Sequence, residues 1–307
     1  MIRVLIGLAF VGAVVVNAWD DSTVYRKQIL AWQEHREAGL RSSTGWLALA
    51  GLFWLKPGKS TIGSGETSNL MLPKDAPSQV GEFEVIGQEV NFRSLEGDQI
   101  AVNGKPFTGG ITLKHDEDDD KCDKLSVGPI QFYVIDRDKR LAVRVKDANS
   151  ETLKNFKGTA FFPINHGFRF EAKFIAAPAK VPVPNILGQT EIEDSPGLVE
   201  FTYHGQTHRL RPIYEGKTLF FIFKDLTSKK ETYQAGRQVN TPLPENGKVV
   251  LDFNKAYNPP CIFTPYATCP LPLKENILPI RIEAGELRYG DGREPAPAQL
   301  SSRRGDK

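Results

Sequence analysis

Cysteine, methionine and long apolar runs are all scarce in this chain of 307 residues. It has three cysteines and two methionines. After the first 18 residues no segment approaches the 18–20 or so apolar residues that span a bilayer. A small disulfide-stapled scaffold is therefore excluded, and the chain is long enough to bury a core without staples.

An excess of charge of one sign is also missing. The formal net charge is +2, from 39 basic and 37 acidic side chains, and both signs are interspersed. Such a balance gives no electrostatic footprint for nucleic acid, so no nucleic-acid partner is predicted.

Familiar catalytic motifs are absent as well. The sequence has no Gly-x-Ser-x-Gly elbow, no His-Glu-x-x-His and no phosphate-cradling glycine loop. The acidic run from His115 to Asp120 lacks the glycine and the distal glutamate of a calcium loop, and it is interpreted as a solvated loop. No metal or cofactor is predicted.

The first 18 residues are typical of a secretory signal peptide. Arg3 precedes an apolar stretch from Val4 to Val16, and Val16-Asn17-Ala18 is a plausible cleavage site. The prediction is an exported protein, periplasmic or secreted, with no transmembrane segment after signal removal. An uncleaved anchor is the alternative.

The next region, 19–44, is predicted to contain one helix, from Thr23 to Ala38. Ser22 or Thr23 can cap its start and Gly39 can end it. Tyr25, Ile29 and Trp32 share one face, which predicts an amphipathic helix that packs on the rest of the protein.

Short strands with alternating apolar residues fill region 45–150 and predict a β-sandwich. Gly87-Gln88 and Asn103-Gly104 supply tight turns between them. The predicted strands are Phe83–Ile86, Glu89–Phe92, Ile111–Leu113, Ile130–Ile135 and Leu141–Val145.

A second β-rich unit is predicted over 151–290, after which residues 291–307 are predicted to be a disordered tail. Ala177–Lys180 is interpreted as a short linker, and His204 and His208 as exposed hairpin residues. The predicted strands are Phe168–Phe174, Val199–Tyr203, Thr207–Arg211, Thr218–Phe223, Lys248–Phe253 and Leu278–Ile282. The fold class is therefore mainly β, with an N-terminal α-helix.

The stretch Asp252–Pro272 carries five prolines, two cysteines and two tyrosines. Proline removes an amide donor, so the stretch can be neither helix nor central strand. A long irregular segment in a compact domain is usually functional or disordered, and the aromatics argue against disorder. We therefore expect a candidate site here.

The three cysteines have separate interpretations. Cys261 and Cys269 are eight positions apart, and in an exported chain a disulfide between them is favoured over two free thiols. Cys122 lies in a charged stretch and is predicted to be an exposed thiol.

Charged, amide and hydroxyl side chains around this stretch form the candidate ligand site, with Arg237 and Asp252 at its centre. An arginine beside carboxylates and tyrosines can hold an anionic or sugar-like ligand. The same side chains can instead clamp the irregular backbone, which is the favoured interpretation. The candidate ligand-binding residues are Asp225, Thr227, Tyr233, Arg237, Asp252, Asn254 and Tyr257.

Several segments together resemble the uncharacterised bacterial family called domain of unknown function 1684. The resemblance implies an exported protein of envelope type and carries no established activity. The segments are Gly45–Leu47, Gly51–Leu55, Lys224–Thr227, Thr232–Arg237 and Asp252–Asn276.

Region 45–150 also resembles a forkhead-associated sandwich, through Ser60–Ser64, Asn69–Pro73, Val102–Gly104 and Leu125–Gly128. That fold binds phosphothreonine through an arginine, a serine and a histidine. Here Ser64 occupies the place of the arginine, and Gly81 follows Ser78 where the histidine is expected. The resemblance therefore implies the fold without phosphopeptide binding.

The aromatic cluster Trp46, Phe53 and Trp54 could stack on a sugar, but its alternation with leucines favours core packing. The sequence thus predicts a non-catalytic envelope or secreted protein that binds a small polar ligand or an envelope protein. The alternative is a hydrolase of envelope carbohydrate or ester substrates that uses carboxylates near Arg237, such as Asp225 with Asp252. A purely structural domain is the third class.

Overall fold

A computed structural model describes residues 18–95, 100–116 and 122–290. The predicted disordered tail, most of the predicted signal peptide and most of the acidic run lie outside these ranges. The described chain is mainly β, with one long helix near its start, which confirms the predicted fold class.

The first unit is a sandwich of two sheets. Their orders are β1-β11-β10-β9-β6-β7 and β3-β2-β4-β5-β8. The strands are β1 Leu49–Trp54, β2 Gly58–Gly63, β3 Leu70–Met71, β4 Gly81–Ile86, β5 Glu89–Ser94, β6 Ile100–Val102, β7 Lys105–Phe107, β8 Gly110–Leu113, β9 Leu125–Val127, β10 Ile130–Arg137 and β11 Arg140–Asp147.

Alternating side chains of both sheets meet in one apolar core. Phe83, Phe92 and Phe132 are at most 1% exposed, and their ring centroids lie 5.1–6.2 Å apart. Two-residue turns join β4 to β5 and β6 to β7 at Gly87-Gln88 and Asn103-Gly104, as predicted. Turn chemistry and period-two alternation therefore fix the register of this unit.

The second unit contains two further sheets, β14-β13-β12-β18 and β15-β16-β17. Phe221, Phe223 and Phe253 are fully buried in its core. The helix and strands of this unit are α2 Glu151–Lys154, β12 Arg169–Pro184, β13 Thr190–Tyr203, β14 Gln206–Leu210, β15 Ile213–Glu215, β16 Thr218–Phe223, β17 Arg237–Pro242 and β18 Lys248–Asp252. It also has 3₁₀ turns at His166–Phe168, Phe253–Lys255, Pro260–Ile262 and Lys274–Asn276, while the 3₁₀ turn Trp46–Ala48 precedes β1 in the first unit.

The predicted linker at Ala177–Lys180 is wrong, because β12 runs through it. β12 pairs with β13 from Lys173 to Pro184, with a bulge between Ala176 and Ala179. Its other edge pairs with β18 only over Arg169–Lys173, so prolines farther along need no ladder partner on that side. The far halves of β12 and β13, Ala179–Pro184 and Thr190–Ser195, form an arm that extends beyond the four-stranded sheet; we call it the β12–β13 arm.

Two smaller expectations are also wrong. Leu278–Ile282 is irregular rather than a strand, because Pro279 interrupts its amides, although Leu278 N–H still donates to Lys224 O. His208 is buried at 7% exposure with its ring 5.5 Å from that of Phe201, whereas His204 is exposed as predicted.

Helix α1 spans Ala18–Leu40, so it begins before the predicted caps at Ser22 or Thr23. Tyr25 and Ile29 are buried, and the Trp32 ring lies 6.5 Å from that of Phe161 in an edge-on contact. The helix therefore packs on the second unit through the predicted face. None of the described helices combines the length and apolarity that crossing a membrane requires.

Candidate functional site

Arg237 and Asp225 form a buried ion pair at the start of β17. The Arg237 Nη2 atom lies 3.3 Å from Asp225 Oδ1, and both side chains are 1% exposed. The guanidinium also donates to the carbonyls of Ile282, at 2.8 Å, and Ala284. Burial lowers the pKa of Arg237, against the opposing effect of Asp225.

The Asp225 carboxylate is occupied by further donors. It accepts hydrogen bonds from the Thr227 hydroxyl at 2.8 and 2.9 Å and from Ile282 N–H at 2.8 Å. Thr227 and its neighbour Thr232 are fully buried. This cluster fastens the irregular segment around Ile282 to the end of β16, as a structural clamp would.

Asp252 and Asn254 belong to a second network, centred on the helix. The Tyr25 hydroxyl donates to Asp252 at 3.0 Å, and the Asn254 side chain donates to Tyr25 Oη at 2.9 Å and to Asn165 O at 2.8 Å. Burial and then the Asp252 charge raise the pKa of Tyr25. The structure thus places Arg237 and Asp252 in two networks, and both side chains are at least 95% buried.

A cavity lies elsewhere, between the sandwich and the second unit, with a volume of about 440 Å³. Its walls come from α1, the sandwich, the β12–β13 arm, β15–β17 and residues 267–270. That volume is in the range of small-molecule sites. Of the seven candidate residues, only Tyr257 lines it; its hydroxyl donates to Asn240 at 2.6 Å, and its ring lies 4.7 Å from the Arg36 guanidinium.

Arg144 is the unusual side chain of this cavity. It is 3% exposed, and Nη2 donates to the Thr268 hydroxyl at 3.1 Å. Among the residues that the structure describes, no carboxylate forms an ion pair with it, and its Nε has no hydrogen-bond partner. A buried charge without a counter-charge is costly, so this position is suited to an anion from outside the chain.

The sequence places Arg144 in a predicted alternating strand, on the polar face. Its neighbours Val143 and Val145 point into the sandwich core, and period-two alternation sends Arg144 to the opposite face. Sequence reasoning missed it because that face is expected to be solvated, whereas Thr268 and the chain around it cover it.

A second cation, Lys146, lies beside Arg144. The Trp46 ring lies 5.8 Å from the Arg144 guanidinium and 5.9 Å from the Lys146 ammonium. Burial first, then Arg144 and Lys124, lower the pKa of Lys146 to about 8. Trp46 is 39% exposed and lines the cavity, so core packing is the wrong interpretation for this member of the aromatic cluster.

The two cysteines of the proline-rich stretch are in contact next to this cavity. Cys261 N–H donates to Cys269 Sγ at 3.1 Å, the thiols hydrogen-bond to each other, and both are free in the structure. Tyr233 donates its hydroxyl to Cys261. The disulfide between them stays a prediction, and Cys122 is half-buried rather than exposed.

Comparison with known families decides one point. Residues 154–287 match the family model described as a protein of unknown function, DUF1684. The resemblance predicted from the sequence is thus confirmed for this part of the chain, while Gly45–Leu47 and Gly51–Leu55 lie outside it. No curated protein matches the chain.

Solved structures with similarity include one uncharacterised protein and forkhead-associated domains. The protein from Haloarcula marismortui is 27% identical over 44% of this chain and 78% of its own, with a TM-score of 0.37. A forkhead-associated domain from Chlamydia trachomatis is 14% identical over 32% of this chain and 95% of its own, with a TM-score of 0.22. Mycobacterium tuberculosis EmbR, in complex with a low-affinity phosphopeptide, is 10% identical over 44% of this chain and 33% of its own, with a TM-score of 0.22.

The DUF1684 match supplies only part of the cavity. Tyr257, Thr268 and the β12–β13 arm come from the matched residues, whereas Trp46 and Arg144 come from the sandwich. The site is therefore composite and depends on how the sandwich packs on the DUF1684 part.

Two other sites considered from the sequence have ordinary structural surroundings. The Ser64 hydroxyl, at the place of the phosphate-binding arginine, donates to Ala76 O at 2.7 Å. Of the acidic run, Asp116 pairs with Arg137 at 2.7 Å. Within 18–95, 100–116 and 122–290, no cluster of metal-ligating side chains is found.

Proposed function

We propose that this protein binds a small polar ligand carrying an anionic group, such as a carboxylate, phosphate or sulfate, in the cavity between its two β units. The observation that supports the proposal best is Arg144, a buried guanidinium on the cavity wall with no carboxylate partner among the described residues. A ligand anion would supply the missing counter-charge and accept hydrogen bonds from the planar guanidinium.

The carboxylates that a hydrolase would use are buried and already bonded to protein donors, which favours ligand binding over catalysis. Asp225 and Asp252 are both buried, and protein donors occupy both of them in separate networks. An exported location is part of the proposal and rests on the sequence of the first 18 residues.

Sulfate is a suitable probe, and Arg144→Met is the decisive change. We expect sulfate to bind the full chain and to raise its melting temperature, because a native-state ligand stabilises by mass action. Arg144→Met should weaken sulfate binding by about tenfold or more, since a charge-assisted contact of that kind contributes about 1.5–3 kcal/mol. Calorimetric titration measures the affinity.

The matched control is Arg140→Met, in the same strand. Arg140 is exposed, with its guanidinium 4.3 Å from the Trp54 ring, so this variant changes net charge equally without touching the cavity. It should bind sulfate as the parent chain does. Without sulfate, Arg144→Met should be no less stable than the parent, because a desolvated unpaired charge is removed. Equal losses in both variants, or no binding by the parent chain, would contradict the proposal.

The affinity for sulfate should also depend on pH. Lys146 shares the Trp46 ring with Arg144, and its pKa of about 8 means that its positive charge is present below that pH and lost above it. Sulfate does not titrate in this range, so its affinity should fall by about threefold as pH rises through 8.

A Lys146→Met variant should show little of this pH dependence while keeping the binding that depends on Arg144. The other charges beside Lys146 are those of Arg144 and Lys124. A flat profile in the parent chain would show that Lys146 does not contribute to the field at the site.

A further inference from the structure

The proline-rich stretch holds two sulfur atoms in an asymmetric environment that anion binding does not use. Cys261 lies in the 3₁₀ turn Pro260–Ile262 and is partly exposed, whereas Cys269 is 4% exposed and lies on the cavity wall. Cys261 is thus the more exposed of the two residues.

Hydrogen bonds polarise the pair. The Cys269 thiol and the Tyr233 hydroxyl both donate to the Cys261 sulfur, while Cys261 N–H donates to Cys269 Sγ at 3.1 Å. These contacts bring the two sulfurs together across the loop 261–269, a prerequisite for a disulfide without large backbone movement.

We propose that Cys261 and Cys269 are a reactive dithiol that exchanges with small-molecule disulfides, with Cys261 as the attacking thiol and Cys269 as the resolving thiol. The site takes a low-molecular-weight disulfide, R–S–S–R, as its co-reactant. Cys269 lies on the wall of the anion cavity, but the assignment needs neither a bound anion nor Arg144 as a reactant.

The ionisation of the two thiols supports this order. The hydrogen bonds from Cys269 first, and from Tyr233 as well, lower the pKa of Cys261 despite its burial. The bond that Cys269 donates to Cys261, followed by burial, raises the pKa of Cys269. The thiolate is the nucleophile in exchange, so Cys261 attacks first.

The reaction balances in two exchanges. The Cys261 thiolate attacks one sulfur of R–S–S–R, the S–S bond breaks, and one RS⁻ leaves. Cys261 is then a neutral mixed disulfide. Because the negative charge on Cys261 is gone, it no longer raises the pKa of Cys269. Cys269 gives its proton to the departed RS⁻ and attacks the Cys261 sulfur. The second RS⁻ leaves and takes the proton released when Cys261 ionised. The net result is one Cys261–Cys269 disulfide and two RSH.

The test uses the reduced full chain with oxidised glutathione, followed by alkylation and intact-mass measurement. The parent chain should lose two hydrogens and carry no glutathione. Cys269→Ser should stop at a glutathione adduct on Cys261. Cys261→Ser should react with oxidised glutathione at no more than about one tenth of the rate of the parent chain. Cys122→Ser is the matched control and should behave like the parent.

Tyr233→Phe separates a reactive role from a structural one. It removes the hydroxyl that donates to Cys261, so the pH profile of Cys261 alkylation should move to higher pH. The variant should remain folded, as its melting temperature will show. If Cys269→Ser does not fold, Cys269→Ala serves the same purpose. A parent chain that forms no internal disulfide, adducts located on Cys122, or an unshifted profile in Tyr233→Phe would overturn the assignment. Sulfate binding by the same preparations reports on the anion site separately.

Discussion

Asp225→Ala is expected to lower the free energy of unfolding by about 3–5 kcal/mol, among the largest effects of any single substitution in this protein. The change leaves the Arg237 guanidinium buried without its carboxylate, and Thr227 and Ile282 lose their acceptor. Removing one partner of a buried pair costs the desolvation of the other, because water cannot reach it.

Denaturant unfolding followed by tyrosine or tryptophan fluorescence measures this effect. The matched control is Asp194→Ala, which breaks the ion pair of Asp194 with Lys180, of similar length at 2.8 Å but more than 60% exposed on both sides. That pair should contribute less than about 1 kcal/mol. Equal losses of unfolding free energy in the two variants would show that the Arg237 ion pair is not shielded from water. The Arg237 region would then again be a candidate ligand site.

Gly197→Ala is expected to cost about 3 kcal/mol and to abolish sulfate binding. A Cβ at Gly197 would lie 2.2 Å from Ile175 O and 2.9 Å from Ala177 N, opposite the bulge in β12. These backbone atoms of β12 cannot move aside as a flexible side chain would, so the β12–β13 arm has to shift. The arm carries one wall of the cavity, and the loop at its tip contacts the sandwich, where the Gln189 side chain donates to Arg137 O at 3.3 Å.

Gly188→Ala is the control for this prediction. Gly188 has a positive φ, +79°, and nothing lies within 4 Å of its Cβ position. Its replacement should cost only the left-handed backbone penalty of about 1–2 kcal/mol and should leave sulfate binding intact. Calorimetric titration and thermal unfolding of both variants decide the matter; equal effects would mean that the close approach at the bulge does not set the direction of the arm.

Local chemistry predicts much of this fold. The β4–β5 hairpin follows from alternation around Gly87-Gln88, and the buried β16 follows from a continuous apolar run. Prolines limit what the sequence can show: Pro279 ends a pattern that looks like a strand, whereas Pro178 sits at a bulge where one edge of β12 is unpaired.

The candidate site was less predictable because it is made of distant segments. The buried state of Arg237 follows from the many unpaired backbone groups of an irregular stretch, and its partner Asp225 is close in sequence. Arg144 and Thr268 are 124 positions apart, and only the packing of the sandwich on the second unit brings them together. No local pattern encodes such a junction.

The docking of α1 has a consequence for the order in which the chain acquires its structure. Tyr25 and Arg36 bond to Asp252 and Glu286, more than 220 positions away, whereas the sandwich strands pair within 49–147. During vectorial synthesis the sandwich can form from local partners, but the helix has to wait until nearly the whole chain has emerged. Helix α1 is thus one of the first elements to be synthesised and one of the last to pack in its final position. A fragment that begins at residue 154 would lack the helix and would expose to water the Asp252 and Glu286 side chains that the helix normally covers.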